Sequence, residues 1–408
     1  MTSFHPPEVL LLGPGPSPVA KRVLDAMARP TIGHLDPRFV GMMDELKELL
    51  RYAFETRNTL TVPISAPGSA GMEAAFVNLI EAGDKVVICQ NGVFGARMRE
   101  NVIRIGATPI MVNDPFGMPI DLGKTEAALK AHPGVKALAF VHAETSTGVE
   151  SDAAALCKLA QEHGALSIVD AVTSLGGIPL RVDAWGCDAV YSGSQKCLSA
   201  PPGLSPLTFS DKAVSALKSR KTPVRSWFLD LGLVMNYWQG SGARAYHHTA
   251  PINMLYALHE ALLMFREEGR EAAFARHRQN HLRLVAGLAT IGLDLLVAES
   301  ARLPQLNAVK VPEGVDEGAV RKRLLTDFNI EIGAGLGELA GRIWRIGLMG
   351  TGQHRRKCRS RGTRARCLSG SPTGLKGRGG ARQVLNLESR LVRGAPFQRR
   401  LQSSLDFR

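Results

Sequence analysis

The chain has 408 residues, of which 45% are hydrophobic, and its formal net charge is +13. This composition excludes a wholly disordered chain, and the length predicts two or three folding units in one globular protein. The charge is confined to residues 351–408, which hold 15 Lys and Arg residues against Glu388 and Asp406, so the first 350 residues are neutral. A basic surface spread over the whole protein is therefore excluded.

The cysteines and the N-terminus indicate the compartment. The six cysteines include no C-x-x-C pair, which argues against disulfides and a structural zinc site and fits a reducing cytosol. The N-terminus lacks the basic and apolar regions of an export signal, and no apolar run approaches the roughly 18 residues of a membrane span. The sequence predicts a cytoplasmic protein with no membrane association and no metal site.

Short apolar runs alternate with amphipathic segments from about residue 60 to residue 209, which is typical of βα units around a mostly parallel sheet. The predicted strands are Thr61–Ile64, Lys85–Cys89, Thr108–Val112, Ala137–His142, Ala165–Val169, Ala189–Ser192 and Leu207–Phe209. The predicted helices between them include Met72–Ile80, Ala96–Ile105, Leu122–Ala131 and Ala153–His163. The fold class is therefore α/β, with a large domain built on a mostly parallel seven-stranded sheet.

A smaller α+β domain follows in the sequence. The periodic segment Asn253–Ile291 predicts a pair of helices, and a strand, a helix and two further strands are predicted after it, at Asn307–Val311, Glu317–Phe328, Ile330–Ile332 and Ile343–Ile346. Gly333–Gly337 lacks the spacing of a dinucleotide-binding loop and is interpreted as a flexible loop near the substrate entrance. The predicted organisation is an N-terminal arm (1–20), a large domain (21–265), a small domain (266–350) and a disordered basic tail (351–408).

Two segments of the large domain have the residue types of a cofactor site. The segment Ser65-Ala-Pro-Gly68-Ser69 precedes a predicted helix, so it is either a phosphate-binding helix N-terminus or an ordinary capped helix after a turn. Asp170 follows a predicted central strand, at the edge where open α/β sheets bind ligands, although a strand-end Asp is also a common turn residue.

Lys196 changes the interpretation of Asp170. It lies in the polar turn Ser194-Gln-Lys-Cys-Leu198, after the next predicted strand. A lysine in such a turn and a carboxylate at a neighbouring strand end are what an enzyme needs to hold pyridoxal phosphate, with the lysine on the aldehyde and the carboxylate on the pyridine nitrogen. A surface lysine is the alternative interpretation.

Several colinear motifs show a resemblance that extends to about Gly350. They are Leu11-Leu-Gly-Pro-Gly-Pro-Ser17, Thr56-Arg-Asn58, Glu144-Thr-Ser-Thr-Gly148, Ser194-Gln-Lys196, Tyr246-His-His-Thr249 and Trp344-Arg-Ile-Gly-Leu-Met-Gly350. With these motifs the chain resembles the class V, fold-type I pyridoxal-phosphate aminotransferases, most closely the alanine/serine–glyoxylate branch. The resemblance implies pyridoxal 5'-phosphate as cofactor and a homodimer with shared active sites.

The resemblance also implies a role for individual residues. Lys196 matches the Schiff-base lysine, and Asp170 matches the partner of the pyridine nitrogen. The other implied cofactor contacts are Gly68, Ser69 and Gln195 at the phosphate, Phe94 as the stacking ring, Thr145 near the 3'-oxygen, and Tyr246 and Thr249 at the phosphate of the neighbouring subunit. Arg345 matches the arginine that binds the substrate carboxylate. The alternatives are a core aromatic for Phe94, a surface loop for Tyr246 and Thr249, and a salt bridge for Arg345.

The implied activity is transamination between alanine or serine and glyoxylate or another small 2-oxo acid. A pyridoxamine–pyruvate or ureidoglycine–glyoxylate aminotransferase is the alternative within the branch. A lyase of the cysteine-desulfurase kind is more remote, since Gln195 stands where that group usually has histidine. Nucleic-acid binding would depend on the tail alone, whose only stacking aromatics are Phe397 and Phe407.

The tail departs from the family pattern. Relatives finish the small domain with a helix rich in Leu and Ala, whereas this chain continues Thr351-Gly-Gln-His-Arg-Arg-Lys-Cys-Arg-Ser360. With suitable codons, a reading one nucleotide later restores a Glu-Asn-Val start and an apolar helix. We therefore interpret the tail as the product of a frameshift near Gly350, and we expect the small domain to expose an apolar face of its sheet.

Overall fold

The computed structural model of the chain describes residues 1–238 and 244–351. The predicted tail therefore lies, apart from Thr351, outside the described residues, and the frameshift stays a prediction. The strands are β1 (Leu10–Leu11), β2 (Leu60–Ile64), β3 (Lys85–Gln90), β4 (Thr108–Asn113), β5 (Ala137–Val141), β6 (Ala143–Glu144), β7 (Val149–Glu150), β8 (Leu166–Asp170), β9 (Ala189–Tyr191), β10 (Ser205–Phe209), β11 (Leu306–Lys310), β12 (Ile330–Glu331), β13 (Gly333–Ala334) and β14 (Ile343–Gly347).

The α-helices alternate with the strands in the first part of the chain and cluster in the later part. They are α1 (Lys21–Met27), α2 (Pro37–Phe54), α3 (Gly68–Leu79), α4 (Val93–Ile105), α5 (Leu122–Ala131), α6 (Ala153–Glu162), α7 (Val182–Trp185), α8 (Asp211–Lys218), α9 (Leu231–Trp238), α10 (Ile252–Glu268), α11 (Arg270–Thr290) and α12 (Glu317–Phe328). All helices and strands predicted from the sequence are present, with shifted ends in most cases. Within the described ranges, no helix is both long and apolar enough to cross a membrane.

The large sheet has seven strands in the order β2-β10-β9-β8-β5-β3-β4. Only β10 runs antiparallel to its neighbours in this sheet, so the predicted mostly parallel seven-stranded sheet is confirmed. Every residue of the central strands β5 and β8 is buried, as expected for parallel strands covered on both faces. Because the six parallel strands share one direction, the loops after their carboxyl ends meet at one edge.

Helices α3 and α4 begin earlier than the sequence predicts. The periodic pattern places their starts at Met72 and Ala96, whereas the helices start at Gly68 and Val93. The first turn of α3 consists of glycine and small residues, and in α4 a glycine and an alanine follow the first two residues, so neither start shows a sustained apolar period. The difference matters because these first turns lie at the carboxyl edge of the large sheet.

A second sheet has the order β11-β14-β13, and the N-terminal strand β1 pairs with β12 beside it. Trp344 and Ile346 belong to one apolar cluster with residues of α11 and α12, namely Leu284, Leu288 and Leu324. Trp344 is 5% exposed and Ile346 is 2% exposed. The expectation that this sheet exposes an apolar face is therefore wrong for these residues, because α11 and α12 pack on it.

The glycine-rich segment Gly333–Gly337 is more ordered than predicted. Its first two residues form β13, which pairs with β14, and a 3-10 turn starts at Gly337. A Cβ on Gly335 would lie 1.9 Å from the carbonyl oxygen of Leu339, so this glycine permits close backbone packing. The interpretation as a flexible loop was wrong because glycine also serves close packing. The domain boundaries predicted at residues 20, 265 and 350 stay a prediction.

Candidate active site

The candidate site lies where the loops after the parallel strands meet the small sheet. Asp170 ends β8, the turn bearing Lys196 follows β9, α3 follows β2, and Phe94 lies in the helix after β3. Thr145 follows β6, just after β5. The topology thus brings the predicted residues of five separate loops to one edge, where ligand sites of open α/β sheets lie.

Asp170 is buried and held on both carboxylate oxygens. Its Oδ1 accepts a hydrogen bond from the backbone N–H of Val172 at 2.9 Å, and its Oδ2 accepts one from the Tyr191 hydroxyl at 3.0 Å. Burial raises the pKa of Asp170 to about 6, while these hydrogen bonds and the charge of Lys196 act in the opposite direction. The carboxylate is therefore mostly ionised at neutral pH and its orientation is fixed.

Lys196 projects into the same space from the turn after β9. Its Nζ donates to the carbonyl of Pro14 in the N-terminal arm, and a Cβ on Gly15 would lie 2.5 Å from that Nζ. Burial, and then the nearby charge of Arg345, lower the pKa of Lys196 to about 8. About a tenth of the amine is therefore uncharged and nucleophilic at pH 7.

Arg345, in the middle of β14, is 6% exposed. Its Nε donates to the Ala334 carbonyl at 2.6 Å, and its Nη1 donates to the Thr145 carbonyl at 3.2 Å. Burial lowers the pKa of Arg345 to about 10, so the guanidinium stays charged at neutral pH. The salt-bridge alternative is not supported, since its acceptors here are two backbone carbonyls.

The predicted phosphate-binding residues surround the start of α3. Gly68 is buried beside Val172 and Gly193, whereas Ser69 is exposed. The Gln195 side-chain oxygen is buried and has no hydrogen-bond partner in the described part of the chain. An amide oxygen accepts hydrogen bonds and does not itself bind an anion. The N–H groups that point from a helix N-terminus do, so the start of α3 suits a bound anion.

Phe94 and Thr145 follow β3 and β6 at the same edge of the large sheet. Phe94 is partly buried, and the Arg97 guanidinium carbon lies 4.7 Å from the centroid of its ring. The hydroxyl of Thr145 is within hydrogen-bond distance of the hydroxyl of Thr173. Phe94 is thus close to a group that also influences Asp170, since Arg97 lowers the pKa of Asp170.

Tyr246 and Thr249 are placed apart from this constellation. Tyr246 is 64% exposed, and its ring centroid lies 5.4 Å from that of His34. Thr249 is exposed as well, and between them His248 Nε2 lies 2.7 Å from the Ser65 hydroxyl. The structure therefore brings this segment near the start of α3 but not these two side chains to Lys196.

The residues that hold the predicted site residues in place were largely missed by sequence reasoning. Tyr191 donates a hydrogen bond to Asp170, and Thr173 lies within hydrogen-bond distance of Thr145. The motif that contains Ser17 predicted no role for it, although its hydroxyl donates to the Lys196 carbonyl at 2.6 Å. The contact of Tyr191 with Asp170 could have been predicted, because the two residues end neighbouring parallel strands. Residues 17 and 196 are too distant in sequence for their contact to be predicted.

These residues fit pyridoxal phosphate. An amine with a lowered pKa suits an aldehyde, a buried carboxylate suits a ring nitrogen, and the backbone N–H groups at the start of α3 suit a phosphate. Within the residues that the structure describes, no cluster of three or more His, Cys, Asp or Glu side chains is arranged to hold a metal ion.

Comparisons with known proteins agree with this geometry. Residues 9–341 match the family described as Aminotransferase class-V. An alanine–glyoxylate aminotransferase of Drosophila melanogaster is 40% identical over 85% of this chain and 89% of its own length. The crystal structure of an alanine–glyoxylate aminotransferase from Nostoc sp. is 47% identical, with a TM-score of 0.84 over 86% of this chain and 93% of that one.

A ureidoglycine–glyoxylate aminotransferase from Bacillus subtilis is similar as well. Its crystal structure is 39% identical and has a TM-score of 0.84, covering 86% of this chain and 90% of that chain. The resemblance deduced from the sequence motifs, and with it the fold-type I architecture, is therefore confirmed.

Proposed function

We propose that this chain, which belongs to the class V aminotransferases, transfers an amino group between alanine or serine and glyoxylate or another small 2-oxo acid, with pyridoxal 5'-phosphate as cofactor. The observation that supports this most directly is the convergence of Lys196, Asp170 and Arg345, whose charges influence one another in a buried space. An amine, a carboxylate and a guanidinium are the groups that amino-group transfer requires at the cofactor and at the substrate.

Asp170, Lys196 and the start of α3 would hold the cofactor. When bound, pyridoxal phosphate supplies an aldehyde that bonds amines and a ring that accepts the electrons released at the substrate Cα. Asp170, kept ionised and fixed by Tyr191 and Val172, would keep the ring nitrogen protonated. Gly68, Ser69 and Gln195 would bind the phosphate, Phe94 would stack on the ring, and Thr145 would contact the 3'-oxygen.

Arg345 would bind the substrate carboxylate. Its bonds to the Ala334 and Thr145 carbonyls fix the plane of the guanidinium and leave the other N–H donors of the fork for an anion. A carboxylate can accept two parallel hydrogen bonds from such a fork, which fixes the orientation of a 2-amino or 2-oxo acid.

Lys196 would move the proton. Its Nζ, with a pKa lowered to about 8, is a base of suitable strength to take the proton from the substrate Cα and to return one during the reverse half of the cycle. Pro14 and Gly15 occupy the space beside this Nζ. That arrangement favours substrates with small side chains, such as alanine, serine and glyoxylate.

We infer a homodimer in which Tyr246 and Thr249 reach the cofactor phosphate of the partner subunit. The exposure of Trp227 and Tyr246, at 63% and 64%, supports this, because large aromatic side chains are enriched at interfaces. Lys196→Ala and Tyr246→Ala should each inactivate the protein. Unfolding and refolding a mixture of the two should then restore about a quarter of the wild-type activity, since one of the two sites in a mixed dimer is intact. No recovery would contradict a shared site.

The proposed activity is tested by loading the purified protein with pyridoxal phosphate, recording its visible absorbance and screening amino donors against glyoxylate. We expect a band from lysine-bound cofactor and activity with alanine or serine, both abolished in Lys196→Ala and kept in Lys158→Ala, whose side chain is 75% exposed. An unchanged band in Lys196→Ala would refute the assignment. Preference for ureidoglycine, or for pyridoxamine with pyruvate, would favour those alternatives within the branch.

A further inference from the structure

Glu144 is a buried carboxylate that the proposed reaction does not use. It ends the short strand β6, and its exposure is 0%. Its Oε1 accepts hydrogen bonds from the Ser146 N–H at 2.9 Å and the Ser146 hydroxyl at 2.6 Å. Its Oε2 accepts one from the Phe94 N–H at 3.3 Å. A buried carboxylate with these donors has a defined orientation.

These contacts complete the N-terminus of α4 from outside the helix. Gly92, the residue before the helix, provides no side-chain cap. The Ser146 hydroxyl accepts from the Val93 N–H at 3.0 Å, and Glu144 accepts from the next N–H along the chain. Two of the N–H groups that a helix leaves unsatisfied are thus bound by the segment 144–146, and the carboxylate lies at the favourable end of the helix dipole.

The fit between this segment and α4 is tight. A Cβ on Gly92 would lie 2.3 Å from the Glu144 Cδ and 2.6 Å from the Ser146 hydroxyl oxygen. Position 92 therefore has to be glycine for Glu144 to reach the helix. Phe94, which follows in the first turn, cannot shift relative to Glu144 without breaking these contacts.

The same segment also reaches the substrate side of the site. Thr145, next to Glu144, accepts the Arg345 Nη1 on its carbonyl oxygen and bonds Thr173 through its hydroxyl. We propose that Glu144 is a positioning residue, whose carboxylate with Ser146 fixes the first turn of α4 so that Phe94 lies against the cofactor ring. This inference rests on the proposed function, because it assigns Glu144 through the cofactor contact of Phe94.

Glu144→Gln tests the proposal with the smallest change in shape. The glutamine oxygen can keep both Ser146 donors, while its NH₂ group then faces the Phe94 N–H, so the contact with Phe94 is lost selectively. We expect the dissociation constant for pyridoxal phosphate, measured by titrating cofactor-free protein, to rise about tenfold. The circular dichroism of the bound cofactor should change, whereas the KM for alanine should stay within about twofold, because Arg345 keeps its contacts.

Two comparisons separate positioning from a general loss of stability. Glu100→Gln, on the exposed part of α4, should bind the cofactor as the wild type does. In a Phe94→Ala background, Glu144→Gln should weaken cofactor binding no further, because residues that act through one contact are not additive. A stability role alone would leave the dissociation constant unchanged in the folded protein and would lower only the melting temperature.

The outcomes distinguish this inference from the proposed function. If the wild type binds no pyridoxal phosphate, the proposed function fails and this inference fails with it. If the wild type binds and Glu144→Gln binds equally well, or weakens binding to the same extent with and without Phe94, only the role of Glu144 is refuted. Should Glu144→Gln not fold, Ser146→Ala removes the Val93 contact instead, and we expect about threefold weaker cofactor binding with the same non-additivity toward Phe94→Ala.

Discussion

The contact between the N-terminal arm and Lys196 gives a test that depends on a single atom. Gly15 has a φ of +107°, and a Cβ at this position would lie 2.5 Å from the Lys196 Nζ and 2.8 Å from its Cδ. Because non-bonded atoms of this kind approach to roughly 3.5 Å, Gly15→Ala forces the amine or the arm to move by about 1 Å.

The expected cost has two parts. An alanine at a positive φ costs about 1–3 kcal/mol of stability wherever it occurs. A displacement of about 1 Å at a catalytic group can lower the rate about a hundredfold. Gly83→Ala isolates the first part, since Gly83 has a φ of +88° and a Cβ there would meet no atom within 4 Å.

The assay compares the melting temperature and the kcat of the two variants, both loaded with pyridoxal phosphate. We expect similar melting temperatures, a kcat close to the wild-type value for Gly83→Ala, and a kcat about a hundredfold lower for Gly15→Ala. Equal activity of the two variants would refute the close approach of the arm to Lys196. A much larger loss of stability in Gly15→Ala would show that the arm moves instead of the lysine.

Two further predictions concern Arg345 and Lys196. Arg345→Lys keeps the positive charge but loses the two-pronged guanidinium, so we expect the KM for alanine to rise about 30-fold. The dissociation constant of the cofactor should change little. An unchanged KM would show that the substrate carboxylate binds elsewhere. Burial lowers the pKa of Lys196 to about 8, so its reactive neutral form increases with pH up to that value. The rate at which cofactor-free protein takes up pyridoxal phosphate should therefore rise about tenfold from pH 6 to pH 7 and level off above pH 8, and a flat profile in stopped-flow absorbance would contradict the assignment.

The fold was largely predictable because its strands are short apolar runs bounded by turn residues. The run that includes Leu166–Val169 is buried on both faces, so its hydrophobic pattern alone identifies it. The short strands Leu10–Leu11 and Gly333–Ala334 carry no such pattern, and they form only through pairing with distant residues. Two predictions were wrong at glycines, since Gly68 begins a helix and Gly335 permits close packing.

The site was predictable where its chemistry lies in a local motif. Asp170 and Lys196 were predicted as site residues by residue type and by position after predicted strands, and the structure places both at the same edge of the sheet. Tyr191, Thr173 and the carboxylate of Glu144 received no role, because their function depends on partners 21, 28 and 50 positions away. Sequence spacing does not report such contacts, and only the packed structure brings these polar groups together.

The family motif that ends at Ser17 and the one that ends at Gly350 lie far apart in the sequence, but the segments at both ends contact the turn that bears Lys196. The Ser17 hydroxyl and N–H donate to the carbonyls of Lys196 and Gln195, across 179 positions in the first case. The Thr351 N–H donates to the Ser199 hydroxyl, 152 positions away, and Ser199 donates its own N–H to the Lys196 carbonyl. The Lys196 turn is thus held from two sides by segments that also flank β14 and Arg345. These contacts fix the amine relative to the guanidinium, so Ser17 and Thr351 contribute to the candidate site by positioning Lys196.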